Sequence, residues 1–377
     1  MTTVDHQFQH PLATLTLKRW PRRRNERLRA WDGADMLLLD ACAALGEQQP
    51  VLVGNDTCGA LALPLSAAGR HVISSGDSWL AWRAMMKNAE DNDLELGELE
   101  WNWPWQSADK QAALALLRVP KSLALFEFQL AGLAARMEEG APVLVAAMDK
   151  HAPQGLITLL ERYLDDVSHD EGRKKAHVYR GKARAAAEDP NALVTILDVP
   201  GLSVPIYNEP GVFSRKQLDP GARFFLQHIP AGVSGNIVDL GCGNGVIGLM
   251  AAQRNPDAQI WFCDESAQAI ASARRNAEAA GVAERCHFHH GNGLDGLQEK
   301  FDLVLLNPPF HRGHAIDSGV AEMLFDHARR HLADNGELRV IGNRHLPYLQ
   351  SLRRRFGHVE QVAANSKFTL WSATNRP

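Results

Sequence analysis

Short apolar runs of strand length recur along the chain, separated by stretches whose apolar residues fall three and four apart. In the second half the runs are Ile237-Val238-Asp239-Leu240, Ile260-Trp261-Phe262-Cys263, Cys286-His287-Phe288-His289-His290 and Phe301-Asp302-Leu303-Val304-Leu305-Leu306. The last is almost unbroken, the pattern of a strand covered on both faces. Residues 246–254, 320–332 and 346–356 read as helices, with Gly336 closing the second. Residues 202–207 read as a hairpin strand, 338–341 as a further strand, and 367–372 as a final antiparallel one. Strands alternating with helices predict an α/β fold on a mostly parallel sheet.

The first half repeats this order. Residues 51–56, 71–77, 114–118 and 142–147 are strand-like, with a helical stretch from Gly59. Lys87-Asn88-Ala89-Glu90 echoes Arg275-Asn276-Ala277-Glu278. The offset between the copies stays at roughly 190 residues, which points to duplication of a whole domain. The expected division of the 377 residues is 1–190 and 191–377.

Candidate chemistry lies in the second copy. Asp239-Leu240-Gly241-Cys242-Gly243-Asn244-Gly245 is a strand end running into a glycine turn. Glycine lets a backbone turn sharply and approach a ligand closely. A dinucleotide fingerprint, G-x-G-x-x-G, fails when counted from Gly241 and succeeds from Gly243 through Gly245 and Gly248. That reading leaves the preceding acid and the extra glycine unexplained. The full D-x-G-x-G-x-G pattern resembles motif I of class I S-adenosylmethionine-dependent methyltransferases. The resemblance implies two tandem Rossmann-like methyltransferase domains with S-adenosyl-L-methionine as cofactor. Asp239, Gly241, Gly243 and Gly245 would then frame its methionine part, and Asn292 its adenine. Asp264, ending the next strand, is placed to accept from ribose hydroxyls. A lid over the cofactor is implied for residues 213–225, with Arg215 and Arg223 as candidate contacts.

Asn307-Pro308-Pro309-Phe310 follows the unbroken strand. It resembles the (N/D/S)-P-P-(F/Y/W) motif of methyltransferases acting on planar, amide-like nitrogens. The residue types suit that chemistry. A base amine is a poor nucleophile because its lone pair is delocalised into the ring. The Asn307 side-chain carbonyl and the Pro308 backbone carbonyl can each accept one N–H and free that lone pair. The prolines hold the acceptors in place beforehand. Phe310 offers a face for stacking. Pro309 and His311 would border the entering substrate. The first copy keeps neither feature: its turn reads Asn55-Asp56-Thr57-Cys58-Gly59-Ala60, and Val119-Pro120-Lys121-Ser122 is read in the place of the Asn-Pro-Pro-Phe site. It is expected to be degenerate and to serve as a scaffold or RNA-positioning module.

As a whole the chain is similar to bacterial ribosomal RNA guanine-N2 methyltransferases. Phrases such as Val212-Phe213-Ser214-Arg215 and Gly221-Ala222-Arg223-Phe224-Phe225 lie closer to the type acting on large-subunit (23S) rRNA than to the small-subunit (16S) type. Alternatives outside that activity are a non-enzymatic RNA-binding assembly factor, a protein-glutamine methyltransferase and a DNA adenine methyltransferase.

A net charge of −4 supplies no global basic field, so RNA contact must come from local patches. Lys18, Arg19, Arg22, Arg23, Arg24, Arg27 and Arg29, flanked by Trp20 and Trp31, form one candidate. Arg173, Lys174, Lys175, Arg180, Lys182 and Arg184, near the expected linker, form another. The five scattered cysteines and dispersed histidines predict free thiols and no metal site. The His287, His289, His290 cluster is read as structural. Without a signal pattern or a run near 18 apolar residues, a cytoplasmic protein is expected, and a monomer.

Overall fold

The computed structural model describes residues 4–22, 26–104, 106, 110–185, 189–309 and 315–375, with 315–318 as backbone only. The chain divides into two units, Met1–Leu193 and Val194–Pro377.

The first unit opens with a hairpin, β1 (Gln7–His10) and β2 (Ala13–Thr16). Its sheet contains β3 (Val51–Gly54), β4 (Val72–Ser75), β5 (Leu99–Asn102), β6 (Leu114–Arg118), β7 (Pro142–Met148), β8 (Leu164–His169) and β9 (Ala176–Ala183), in the order β5-β4-β3-β6-β7-β9-β8. The second unit begins with a hairpin of β10 (Thr195–Leu197) and β11 (Ile206–Asn208). Its sheet contains β12 (Asn236–Leu240), β13 (Gln259–Asp264), β14 (Cys286–His290), β15 (Phe301–Leu306), β16 (Leu332–Asn343), β17 (His358–Ala364) and β18 (Phe368–Thr374), in the order β14-β13-β12-β15-β16-β18-β17. The two orders are the same. In each sheet five parallel strands are followed by an antiparallel pair, inserted so that the last strand lies inside the one before it.

Helices cover both faces. In the first unit α1 (Gly33–Ala44), α2 (Ala62–Ala67) and α3 (Trp79–Asp91) pack on one face, and α4 (Leu123–Ala131) and α5 (Leu156–Tyr163) on the other. In the second unit α6 (Pro220–Leu226), α7 (Val246–Arg254) and α8 (Ala267–Ala279) face α9 (Ala315–His331) and α10 (Tyr348–Arg353) across the sheet. The central strands β12 and β15 carry fully buried Ile237, Val238, Val304, Leu305 and Leu306, as strands covered on both faces must. Serine caps open the second helix after each turn: Ser78 accepts from the Ala81 N–H and Ser266 from the Ala269 N–H.

Four expectations change. Gly336 lies inside β16, where a Cβ would meet the Phe301 carbonyl oxygen at 2.5 Å. It therefore marks a close strand approach beside a register shift, rather than a helix end. The 202–207 strand is shorter than expected and pairs back to β10. The second basic candidate is engaged internally: residues 173–184 lead into and follow β9, with Arg180, Lys182 and Arg184 paired to Asp170, Asp166 and Asp165. Trp20 and Trp31 pack against the first unit's core, so they are not free stacking surfaces.

Candidate active site

The three glycines of the turn all have positive φ: 75° at Gly241, 54° at Gly243 and 80° at Gly245. L side chains rarely adopt this backbone, which explains the spacing. Nothing lies within 4 Å of where a Cβ would stand at Gly241 or Gly243, so these two form a bare backbone rim. At Gly245 a Cβ would press on Ala273 and Phe262, and at Gly248 it would strike the Phe262 ring at 2.4 Å. Gly248, which completes the dinucleotide spacing, thus serves helix-to-strand packing.

Asp239 sits behind this rim. It is 1% exposed, and its Oδ2 accepts the Gly248 N–H at 2.8 Å. Burial raises its carboxyl to about 8, against the pull of that N–H. Its contact is with the start of α7, so it holds the turn in shape from beneath. Asp264, at the tip of β13, is half-buried; its two oxygens accept the N–H groups of Gly243 (2.9 Å) and Ser266 (3.0 Å). Burial raises its carboxyl above the usual range, with those backbone donors opposing. Asn292 is buried and donates to Asp295 at 2.8 Å. Asp295 also lies 3.4 Å from His327 Nε2, and His327 Nδ1 accepts the Leu294 N–H. Asp295 and His327 therefore brace the Asn292 loop. Sequence spacing gave no sign of this, because α9 delivers His327 from 35 residues downstream of Asn292.

Three asparagines pin the β10–β11 hairpin to the turn. Asn244 donates to Asn208 Oδ1 at 2.8 Å. Asn276, on α8, donates to the carbonyls of Asn244 and Tyr207 and accepts from the Tyr207 N–H. The expected lid segment splits. Phe225 is fully buried core, whereas Phe213 is 66% exposed and Arg223 is exposed.

Leu240 and Leu306 are register partners on adjacent parallel strands, so Gly241 and Asn307 emerge side by side. The Asn307 Nδ2 group donates to Asp219 Oδ2 at 3.4 Å. Asn307 Oδ1 is buried and has no hydrogen-bond partner among the described residues. A buried carbonyl oxygen without a donor costs about 1–3 kcal/mol, a cost a ligand N–H would remove. Pro308 is buried and Pro309 exposed. Phe310 and His311 lie outside the described residues, as do Arg23 and Arg24. Arg22 is described and pairs with Asp91, which also holds Lys87 and approaches Lys18.

The His287, His289, His290 group makes local contacts. His287 stacks on Trp261 and bonds Gln259; His290 contacts the Glu265 carbonyl. Among the described residues no group of three His, Cys, Asp or Glu is arranged to hold a metal ion. The five cysteines are free and buried. No helix among the described residues is long and apolar enough to cross a membrane.

The sheet order, the glycine rim and the aligned Asn307 loop define a class I methyltransferase domain in the second unit. Residues 203–372 match the family described as Methyltransferase small domain, and residues 5–185 match the RLMG N-terminal domain. The chain is 43% identical to the ribosomal RNA large subunit methyltransferase G of Alcanivorax borkumensis, over 97% of this chain and 96% of that one. It is 39% identical to the protein of the same name from Erwinia tasmaniensis, over 96% and 97%. The chain belongs to the ribosomal RNA large subunit methyltransferase G family. Among solved structures it resembles a T. Thermophilus 16S rRNA N2 methyltransferase in complex with AdoMet and guanosine, with TM-score 0.75, 21% identity, and coverage of 98% and 97%. At that identity the likeness speaks to the fold, and it extends across both units.

The residues present fit S-adenosylmethionine. A backbone rim open at Gly241 and Gly243 lets a ligand lie against bare main chain, and the carboxylate at the tip of β13 stands beside it.

Proposed function

We propose that the chain methylates the exocyclic N2 amine of a guanosine in large-subunit (23S) ribosomal RNA. The observation that carries this reading is Asn307 Oδ1, buried at the strand end next to the glycine rim and without a hydrogen-bond partner among the described residues. The names of the curated relatives support the large subunit as substrate.

S-adenosylmethionine supplies an electrophilic methyl group on a sulfonium centre. The chain's residues prepare the other partner. A guanosine turned out of its stack presents its amine to the loop after β15. Asn307 Oδ1 accepts one N–H and the Pro308 carbonyl accepts the other, with Phe310 against the base. Two acceptors on one nitrogen favour the tetrahedral geometry in which its lone pair is localised. They also stabilise the positive charge that grows on nitrogen as the bond forms. The proton leaves after transfer, to water. Gly241, Gly243 and Gly245 frame the methionine part, Asp264 faces the ribose and Asn292 the adenine, with Asp239 shaping the turn.

The first unit, in this reading, binds no cofactor and positions RNA, and the chain acts as a monomer. The test offers labelled cofactor to deproteinised 23S rRNA, 16S rRNA, free protein and DNA. Label recovered as N2-methylguanosine in 23S rRNA is the expected result. Label in 16S rRNA, protein or DNA alone overturns the assignment.

A further inference from the structure

The Asn307 amide has two ends, and only one of them can activate an amine. With Oδ1 toward the substrate it accepts an N–H; turned by 180° it would present an NH2 group, which withdraws nothing from a donor. Pro308 and Pro309 fix the backbone, yet a backbone restraint does not choose between the two ends. Asp219 makes that choice. It caps α6, accepting the Ala222 N–H at 2.7 Å, and the same oxygen accepts from Asn307 Nδ2 at 3.4 Å. A carboxylate offers acceptors only, so the amide must turn its NH2 toward Asp219 and its oxygen away. The oxygen turned away is the one that is buried and has no partner among the described residues.

The first unit holds the same couple with other residues. Its register pairs Gly54 with Leu117, as Leu240 pairs with Leu306, so Arg118 stands where Asn307 stands. Asp32 caps α1, accepting the Ala34 N–H at 2.9 Å, and holds the Arg118 guanidinium at 3.0 Å. In both copies a helix-capping aspartate grips a donor at the carboxy-terminal end of the fourth strand. In the second copy that grip selects which atom faces the base.

We propose that Asp219 is a positioning residue that sets the orientation of the Asn307 amide for methyl transfer. This rests on Asn307 being the amine acceptor, and the experiment separates the two claims. Four proteins are compared on 23S rRNA: wild type, Asn307→Ala, Asp219→Ser and Asp219→Asn. Serine preserves the helix cap but is too short to hold the Asn307 amide; asparagine retains an acceptor oxygen. For Asp219→Ser, kcat is expected to fall by about 10- to 100-fold, the scale of a misoriented reacting group. The S-adenosylmethionine Kd, the KM for RNA and Tm should stay at wild-type values. Asp219→Asn should recover most of the rate. Near-normal kcat in Asp219→Ser, with Asn307→Ala inactive, overturns the role of Asp219 alone. A fully active Asn307→Ala overturns the Asn307 assignment beneath it. Loss of cofactor binding or of Tm in Asp219→Ser also overturns the proposal, since a helix cap alone would explain that.

Discussion

The two units share a scaffold down to single hydrogen bonds, and they part where a ligand would lie. In the first, Asn88 donates to the carbonyls of Lys18 and Cys58 and accepts from the Lys18 N–H. Asn276 does the same with Tyr207 and Asn244. The Asn55 N–H reaches the Ser75 carbonyl as the Gly241 N–H reaches that of Cys263. Matched on these bonds, Asn55 replaces Gly241 and keeps a positive φ of 61°, and Gly59 keeps the φ of 80° found at Gly245. Asp56 then falls where Cys242 is, and Thr57 where Gly243 is.

What differs is who satisfies the polar groups at the turn. Asp56 takes the N–H groups of Cys58, Ala60, Leu61 and Ala62 into its own carboxylate. The Asn55 side chain bonds the Arg118 carbonyl and pairs with Gln129. Gly76 stands where Asp264 stands, against the Trp101 ring, and Trp79, Trp82, Trp103 and Trp101 form a chain with centroids 5.7, 6.3 and 5.2 Å apart. In the first copy the chain's own side chains meet the polar groups at the turn. In the second copy Gly241 and Gly243 stay bare, and Asn307 Oδ1 has no partner among the described residues. A binding site on this fold is a set of groups the chain declines to satisfy internally, held in place by a scaffold that it does satisfy.

This contrast can be broken at several points. The largest effect is expected at Asn307→Ala: transfer should fall by about a thousandfold, the scale for losing a transition-state hydrogen bond, while calorimetry still reads near-normal cofactor affinity. Gly241→Asn installs the first copy's residue at a φ that asparagine tolerates. It should weaken S-adenosylmethionine by about a hundredfold, roughly 3 kcal/mol, with little change in Tm, because its Cβ meets no protein atom. The same titration on wild type should give one cofactor per chain; a second site would show that the first copy also binds it. Asn88→Ala and Asn276→Ala should each destabilise their own unit by about 2 kcal/mol in denaturant melts, for three lost bonds each. Of the two, only Asn276→Ala should weaken the cofactor.

The smallest effect, reckoned per pH unit, concerns the pH dependence of stability. Asp239 binds its proton up to about 8 when folded, whereas an unfolded aspartate releases it near 4. Between those values the folded state holds more protons, so this group makes stability fall as pH rises, by at most about 1.4 kcal/mol per unit. Asp239→Asn keeps an acceptor for the Gly248 N–H and should flatten that slope in urea melts taken across the range.

Much of the fold was legible because buried parallel strands are apolar on both faces, as Phe301–Leu306 is. The glycine turn was legible because only glycine sits easily at three positive φ angles in a row of alternate residues. Register was harder. The first copy's counterpart of Asn-Pro-Pro-Phe is Arg118-Val119-Pro120-Lys121, one residue earlier than the proline spacing implied. The acid after its second strand, Asp77, falls one place beyond the position of Asp264, which Gly76 holds instead. A one-residue shift leaves an apolar pattern almost unchanged but moves every side chain to another neighbour.

The sequence by itself determined two α/β copies, a turn whose alternating glycines suit positive φ and a loop able to present carbonyl acceptors. Those properties are local: strand pattern, permitted φ and proline restraint act within a few residues. The tertiary structure decided that Asp239 lies beneath the turn, that Trp20 and Trp31 belong to a core, and that Asp219 meets Asn307 from 88 residues away. These depend on which strands lie side by side, and a hydrogen bond between distant residues leaves no periodic mark on the chain that makes it.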